Sequence, residues 1–209
     1  GLLINVISGE QEAELSFLGS IPNIDNQEFV LIDIGGGSTE VIQGDKSSIK
    51  FNKSYKFGVV TLTEEYLKEI PYSENEICCL TNIIKNKFDY IQKISKNTTV
   101  IAVAGTPTSL CCMQQNISEY SDEAVENKLL KLIDINKLVK ELSLLTPSEA
   151  KTKYGAVLNG REDVILTGAI ILEEFLKLIG ADEVVVSTKG LRYGIIMNYL
   201  RLNKRKEKE

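Results

Sequence analysis

The sequence predicts an α/β domain whose mixed, five-stranded sheet is flanked by helices, and three observations predict it. First, several short runs of aliphatic and β-branched residues end in glycine-containing turns, as buried strands do. Second, the first three runs follow one another closely enough for an antiparallel meander, whereas the later ones alternate with helical patterns, as crossover units require. Third, at 43% hydrophobic and 25% charged, the 209 residues can bury a real core and are too charged for a membrane bundle.

Each element has a local reason. The apolar run Leu2 to Ile7 reads as a strand or connector. Ser8 and Gln11 have capping-box spacing, so a helix starts near Gly9 and runs to about Leu18. Pro22, Asn23, Asp25 and Asn26 are turn formers. Phe29 to Ile32 reads as a buried strand leading straight into Asp33-Ile34-Gly35-Gly36-Gly37-Ser38. Thr39 to Gln43 and Ser48 to Lys56 pair across the Gly44-Asp45 turn. Helical patterns follow at Thr61 to Glu69 and at Ser73 to Ile94, the second capped by Ser73. Thr99 to Ala104 is a strand that runs into Gly105-Thr106-Pro107-Thr108-Ser109 and a helix. Asn127 to Leu145 reads as mostly helical, capped by Asp134 or Asn136 and ended by Pro147. Arg161 to Ile179 is a long apolar helix broken by Gly180, and Arg161 at its start is read as structural. Glu183 to Ser187 is the last strand, Gly190 to Leu200 the last helix, and Asn203 to Glu209 a charged tail expected to fray in solvent.

Composition excludes several chemistries. The chain has no histidine, so it can build neither a Ser-His-Asp triad, a Cys-His dyad nor a His-ligated zinc site. Its net charge of −5 gives no general reason to bind nucleic acid. Cys78-Cys79 and Cys111-Cys112 lack CxxC spacing and are expected to be buried free thiols in a reducing, cytoplasmic setting. The start of the chain lacks signal-peptide character, and no run approaches 18 apolar residues, so no membrane role is expected.

Ligands of such sheets sit at the carboxyl ends of strands, where residues 33–38, 104–109 and 187–190 converge. Gly35, Gly36 and Gly37 offer backbone N–H groups unobstructed by side chains, either a nest for a phosphate oxygen or a tight hairpin with polar caps. Asp33 at the strand end suits a hard cation, and Glu40 at the start of the next strand faces it across the hairpin. Gly105 and Thr106 repeat the arrangement at a helix start, although the hydroxyls there also serve as caps. Arg192 and Lys189 either bring a cation to a phosphate or make surface ion pairs. The first helix carries Glu10, Glu12 and Glu14, and periodicity does not choose among them.

Ile7-Ser8-Gly9-Glu10-Gln11-Glu12-Ala13-Glu14-Leu15 together with Leu31-Ile32-Asp33-Ile34-Gly35-Gly36-Gly37-Ser38-Thr39-Glu40 resembles the Ppx/GppA phosphatases, the exopolyphosphatases and guanosine pentaphosphate phosphohydrolases. The resemblance runs on through Ala104-Gly105-Thr106, Ile165-Leu166-x-Gly168-Ala169 and Val186-Ser187-x-x-Gly190-Leu191-Arg192-x-Gly194. It implies an RNase H-like lobe of the actin-like ATPase superfamily and Mg²⁺-assisted hydrolysis of a terminal phosphoanhydride, with polyphosphate or guanosine pentaphosphate as substrate. By the same resemblance Glu12 is the catalytic base, with Gln11 replacing the first glutamate of the family's pair. Asp33 and Glu40 hold metal or water, Gly35, Gly36, Gly37 and Ser38 form the phosphate loop, and Gly105, Thr106 and Arg192 complete the substrate contacts. Residues 1–209 are then expected to be the second of two lobes, with little activity alone and a possible homodimer in the intact protein. Two other functions share parts of this pattern: an ATP-binding lobe of a sugar-kinase or chaperone type, and a sensor that binds polyphosphate or guanosine tetraphosphate without hydrolysis.

Overall fold

A computed structural model describes residues 6–21, 27–91, 94, 98–158 and 160–206. The opening run through Asn5, the turn at Pro22, Asn23, Asp25 and Asn26, and the last three residues lie outside the described residues. Chain order is α1 (Gly9–Ser20), β1 (Phe29–Ile34), β2 (Thr39–Gly44), β3 (Ile49–Tyr55), α2 (Val59–Tyr66), α3 (Glu74–Lys87), β4 (Thr99–Val103) and α4 (Gly105–Gln114). It continues with α5 (Asp122–Val125), β5 (Leu129–Lys131), α6 (Leu132–Leu142), α7 (Pro147–Tyr154), α8 (Ile165–Ile179), β6 (Glu183–Val186) and α9 (Leu191–Lys206).

The sheet has six strands in the order β3-β2-β1-β4-β6-β5. β1, β2 and β3 form the expected antiparallel meander, and β4 and β6 add parallel to β1. The additional strand is β5, which pairs antiparallel with β6 within the segment expected to be helical. It spans three residues and buries only Leu130, too little to show as a separate period before α6.

Both sheet faces are covered, which is why β1 reads as an unbroken apolar run. On one face α1 packs through Ala13 and Phe17 onto Phe29, Leu31, Ile42, Ile101 and Val103. On the other, Val30, Ile32, Ile34, Val41, Val100 and Ala102 meet α2, α3, α4, α6 and the almost wholly buried α8. α9 lies against α1 at a glycine crossing, where a Cβ on Gly194 would run into the Leu15 carbonyl. α9 continues through Asn203 to Lys206, so the segment expected to be a frayed tail is helical as far as Lys206.

Other boundaries move for local reasons. The capping box at Ser8 forms as read, and Ser73 caps α3 as read, with Glu76 completing a second box. α2 starts earlier than expected, at Val59, because the glycine-loop carbonyls receive its first amides. α3 stops at Lys87, where Phe88 turns into an aromatic cluster with Tyr55, Phe57 and Phe175. α6 is capped by neither Asp134 nor Asn136: Asp134 pairs with Lys137 at 2.9 Å and Asn136 donates to Glu173 at 2.5 Å. Pro147 opens α7 behind the Thr146 cap, using the position where its missing N–H costs nothing. α8 begins at Ile165, and Gly180 ends it in the left-handed conformation (φ 72°). Cys111 and Cys112 are buried as expected, but Cys78 and Cys79 lie on the outer face of α3, opposite Leu80 and Ile84. None of the helices, among the described residues, is long and apolar enough to cross a membrane.

Candidate active site

A row of polar side chains crosses the sheet beneath α1. Register places Asp33 opposite Glu40 and Glu40 opposite Ser54, so the three share one face. Ser54 donates to Glu40 Oε1 at 2.7 Å, and Ser16 on α1 donates to Asp33 Oδ2 at 2.8 Å. Burial pushes the Asp33 pKa up to about 6, helped by the negative charges of Glu40 and Glu12 and opposed by the Ser16 hydrogen bond. Of the three glutamates on α1, Glu12 is the one whose charge reaches Asp33, whereas Glu14 lines a groove beside Lys46 and Ser47 at the other end of β2. Glu12 lies one helical turn before Ser16, so both occupy the same helix face.

The triple-glycine loop works differently from the expected nest. Positive φ among the described glycines occurs only at Gly155, Gly160 and Gly180, so Gly35, Gly36 and Gly37 are not left-handed. Their carbonyls decide the geometry instead. Gly35 O accepts from Val59 N at 3.0 Å and Gly36 O from Val60 N at 2.9 Å. Across trans peptides the N–H groups of Gly36 and Gly37 therefore point away from α2. Neither finds an acceptor among the described residues, and both glycines are exposed. The Gly35 N–H is used internally, donating to Ser38 O at 3.0 Å, which closes the turn. Close approach explains Gly58, whose Cβ would strike the backbone of Gly35 and Gly36.

The second glycine segment faces the first. Gly35, Gly36, Gly105, Thr106, Gly160 and Arg161 share a cleft of about 420 Å³. α4 starts there without a side-chain cap, and Ala104 before it is held at φ 79°, ψ −169°, a region that disfavours any side chain. Thr106 offers only its backbone: its side chain is buried against Gly168 of α8, where a Cβ would collide with it. Arg161, read from sequence as structural, lies across Gly105 and lines this cleft as well as a second one of about 650 Å³. Arg192 lines that second cleft with Ser187 and Thr188, so the 104–109 segment meets the glycine loop in one cleft and the 187–188 segment in the other. Lys189 is an ion-pair residue: Glu126 accepts from Thr188 N at 2.6 Å and Thr188 Oγ1 at 2.9 Å and meets Lys189 Nζ at 3.3 Å. Its carboxylate thus fills the turn that sequence offered to a phosphate. Asp33, Glu40 and Glu12 line neither cleft; they lie beside the glycine loop on the α1 side of the sheet.

With this geometry in view, comparison with known proteins is decisive. A profile of the Ppx/GppA phosphatase family matches residues 1–203. The chain belongs to the Ppx/GppA phosphatase family. Among its relatives, the bifunctional 3-dehydroquinate synthase/phosphatase of Fusobacterium nucleatum is 32% identical over 201 residues, covering 93% of this chain and 30% of that protein. Exopolyphosphatase 2 of Mycobacterium tuberculosis is 28% identical over 207 residues, covering 95% of this chain and 64% of that protein. The crystal structure of the Aquifex aeolicus Ppx/GppA member superimposes with a TM-score of 0.87 at 26% identity, covering 97% of this chain and 66% of that one. The chain thus spans less than two thirds of the length of each of these Ppx/GppA-related proteins. Membership removes the sugar-kinase and chaperone reading and confirms the α/β lobe with its mixed sheet.

This Ppx/GppA family chain also carries donors suited to a hard cation. Asp33 Oδ1 and Glu40 Oε2 receive no hydrogen bond from the described residues, and no described Lys or Arg pairs with either carboxylate. Among the described residues no three acid or thiol side chains close on one point. Two carboxylates completed by water and substrate oxygens is the coordination Mg²⁺ favours.

Proposed function

We propose that this chain is one lobe of a two-lobed phosphatase that hydrolyses a terminal phosphoanhydride of polyphosphate or guanosine pentaphosphate. The observation that carries the reading is the pair of unclaimed amides on Gly36 and Gly37 beside the Asp33–Glu40 pair, with Glu12 above it on α1. Free N–H groups hold the equatorial oxygens of the reacting phosphoryl group, where charge spreads in the transition state. Arg161 and Arg192 neutralise the phosphates that follow it, from the clefts they line. Glu12, the most exposed member of the acidic group, accepts a proton from the attacking water. Asp33 and Glu40 are the residues that would hold Mg²⁺, which would supply charge neutralisation at the phosphoryl oxygens. Phosphoryl transfer asks for positioning and charge rather than a strong base, which suits a chain without histidine. The opposing lobe would complete the phosphate clamp, so residues 1–209 alone would turn over little substrate. Four free thiols agree with a cytoplasmic location.

The test is phosphate release by the intact protein from polyphosphate and from guanosine pentaphosphate, each with Mg²⁺. Release from at least one is expected. Binding of both without release would leave a sensor and overturn the hydrolytic reading.

A further inference from the structure

Two hydroxyls stand behind the acidic pair, and neither belongs to any motif. A carboxylate has four lone-pair directions, and one that must present a given oxygen to a ligand needs its other oxygen fixed. Asp33 has this in Ser16: the hydroxyl is buried, on α1, and donates to Oδ2 at 2.8 Å. Glu40 has it in Ser54, its direct cross-strand partner, which donates to Oε1 at 2.7 Å. One oxygen of each carboxylate is thus occupied from the side, and the other oxygen of each is left without a donor among the described residues. The fixing groups come from different elements. Ser54 locks Glu40 within the sheet ladder, whereas Ser16 ties Asp33 to the helix that carries Glu12 one turn earlier. The close approach of Gly190 asks for a small side chain at position 16, but a hydroxyl there rather than a methyl has one side-chain partner among the described residues, Asp33.

We infer that Ser16 and Ser54 are positioning residues that hold Asp33 and Glu40 with one oxygen of each turned to a divalent cation. This rests on the reading above that the two carboxylates hold the cation. Ser16 has a second role by the same contact, since it fixes α1, and so Glu12, relative to Asp33.

The experiment is Mn²⁺ binding to the intact protein without substrate, followed by calorimetry or by the loss of free Mn²⁺ signal in electron paramagnetic resonance, with a thermal melt of each variant. Ser16→Ala and Ser54→Ala are each expected to weaken Mn²⁺ binding by about tenfold, the usual effect of removing an outer-shell partner. Ser54→Thr, which keeps the hydroxyl on a strand, is expected to bind within about twofold of wild type. Asp33→Asn separates the two levels of the argument. If Asp33→Asn abolishes binding while Ser16→Ala and Ser54→Ala bind as wild type, the positioning role is overturned and the cation reading stands. If Asp33→Asn binds Mn²⁺ as wild type does, the cation reading fails and this inference falls with it. An alanine variant that melts lower but binds Mn²⁺ unchanged shows a structural hydroxyl only and also overturns the inference.

Discussion

Replacing Asp33 with Asn should make the protein more stable while removing its activity. Burial, with Glu40 and Glu12 nearby, raises the Asp33 pKa from 3.8 to about 6. The folded state therefore holds a proton that the unfolded chain has already released across this interval. Ionised Asp33 costs nothing below about pH 4, costs progressively more as pH rises towards 6, and costs its full amount above that. The rise from 3.8 to about 6 sets the upper bound at about 3 kcal/mol. Asn mimics the protonated carboxyl and retains a partner for the Ser16 hydroxyl, so Asp33→Asn recovers up to that amount at pH 7. Urea denaturation followed by circular dichroism, in EDTA to keep cations away, measures it across pH 4 to 8. The difference between variant and wild type is the quantity to follow, because Glu76, Glu141 and Glu149 have lowered pKa values and lose stabilisation as pH falls. That difference should be largest above pH 6 and vanish towards pH 4. A variant no more stable than wild type at pH 7, or a gap independent of pH, would refute the account of Asp33 as a strained carboxylate.

Three further substitutions separate folding from function. Gly37→Ala adds a Cβ into space open in the structure at a backbone without positive φ, so the melting temperature should hold or rise slightly while the methyl obstructs a phosphate approaching the loop and release falls at least tenfold; full activity would show that no ligand occupies that space. Gly58→Ala drives its Cβ into the Gly35 and Gly36 backbone and should cost about 2 kcal/mol or more in denaturant unfolding, with activity lost alongside; an unchanged midpoint would contradict the close packing of loop on α2. Ala104→Gly relieves a residue held at φ 79°, worth about 1–3 kcal/mol, against about 0.5–1 kcal/mol of added chain entropy. A net gain of about 1 kcal/mol is expected, and a net loss would show that this backbone is not strained.

What the sequence made legible follows from how local each cause is. Ser8 with Gln11 and Ser73 with Glu76 sit three residues apart, so their caps were readable from the chain. Asp33 facing Glu40 followed from a hairpin with a short turn, because register in a meander is set locally. Pro147 was misread because a proline marks a helix start as well as an end. β5 went unseen since a three-residue edge strand exists only through its pairing with β6, more than fifty residues away in the chain. Arg161 reads as structural from its place ahead of a helix, and no local pattern shows that it lines the clefts, which depends on Gly105, 56 positions earlier, lacking the side chain that would block it. Glu126 was missed for the same reason, since the turn it fills belongs to β6 and α9. The conformation of the glycine loop was not legible, because α2 decides which way its peptides face.

The most direct test of the central claim is the turnover of Glu12→Gln in the intact protein, with polyphosphate and guanosine pentaphosphate as substrates. Glu12 is exposed on α1, so the substitution should leave the melting temperature within a degree or so of wild type. Loss of a positioned general base should lower kcat by about 10²–10⁴-fold with little change in substrate binding. A folded Glu12→Gln protein that releases phosphate at near the wild-type rate would contradict the account.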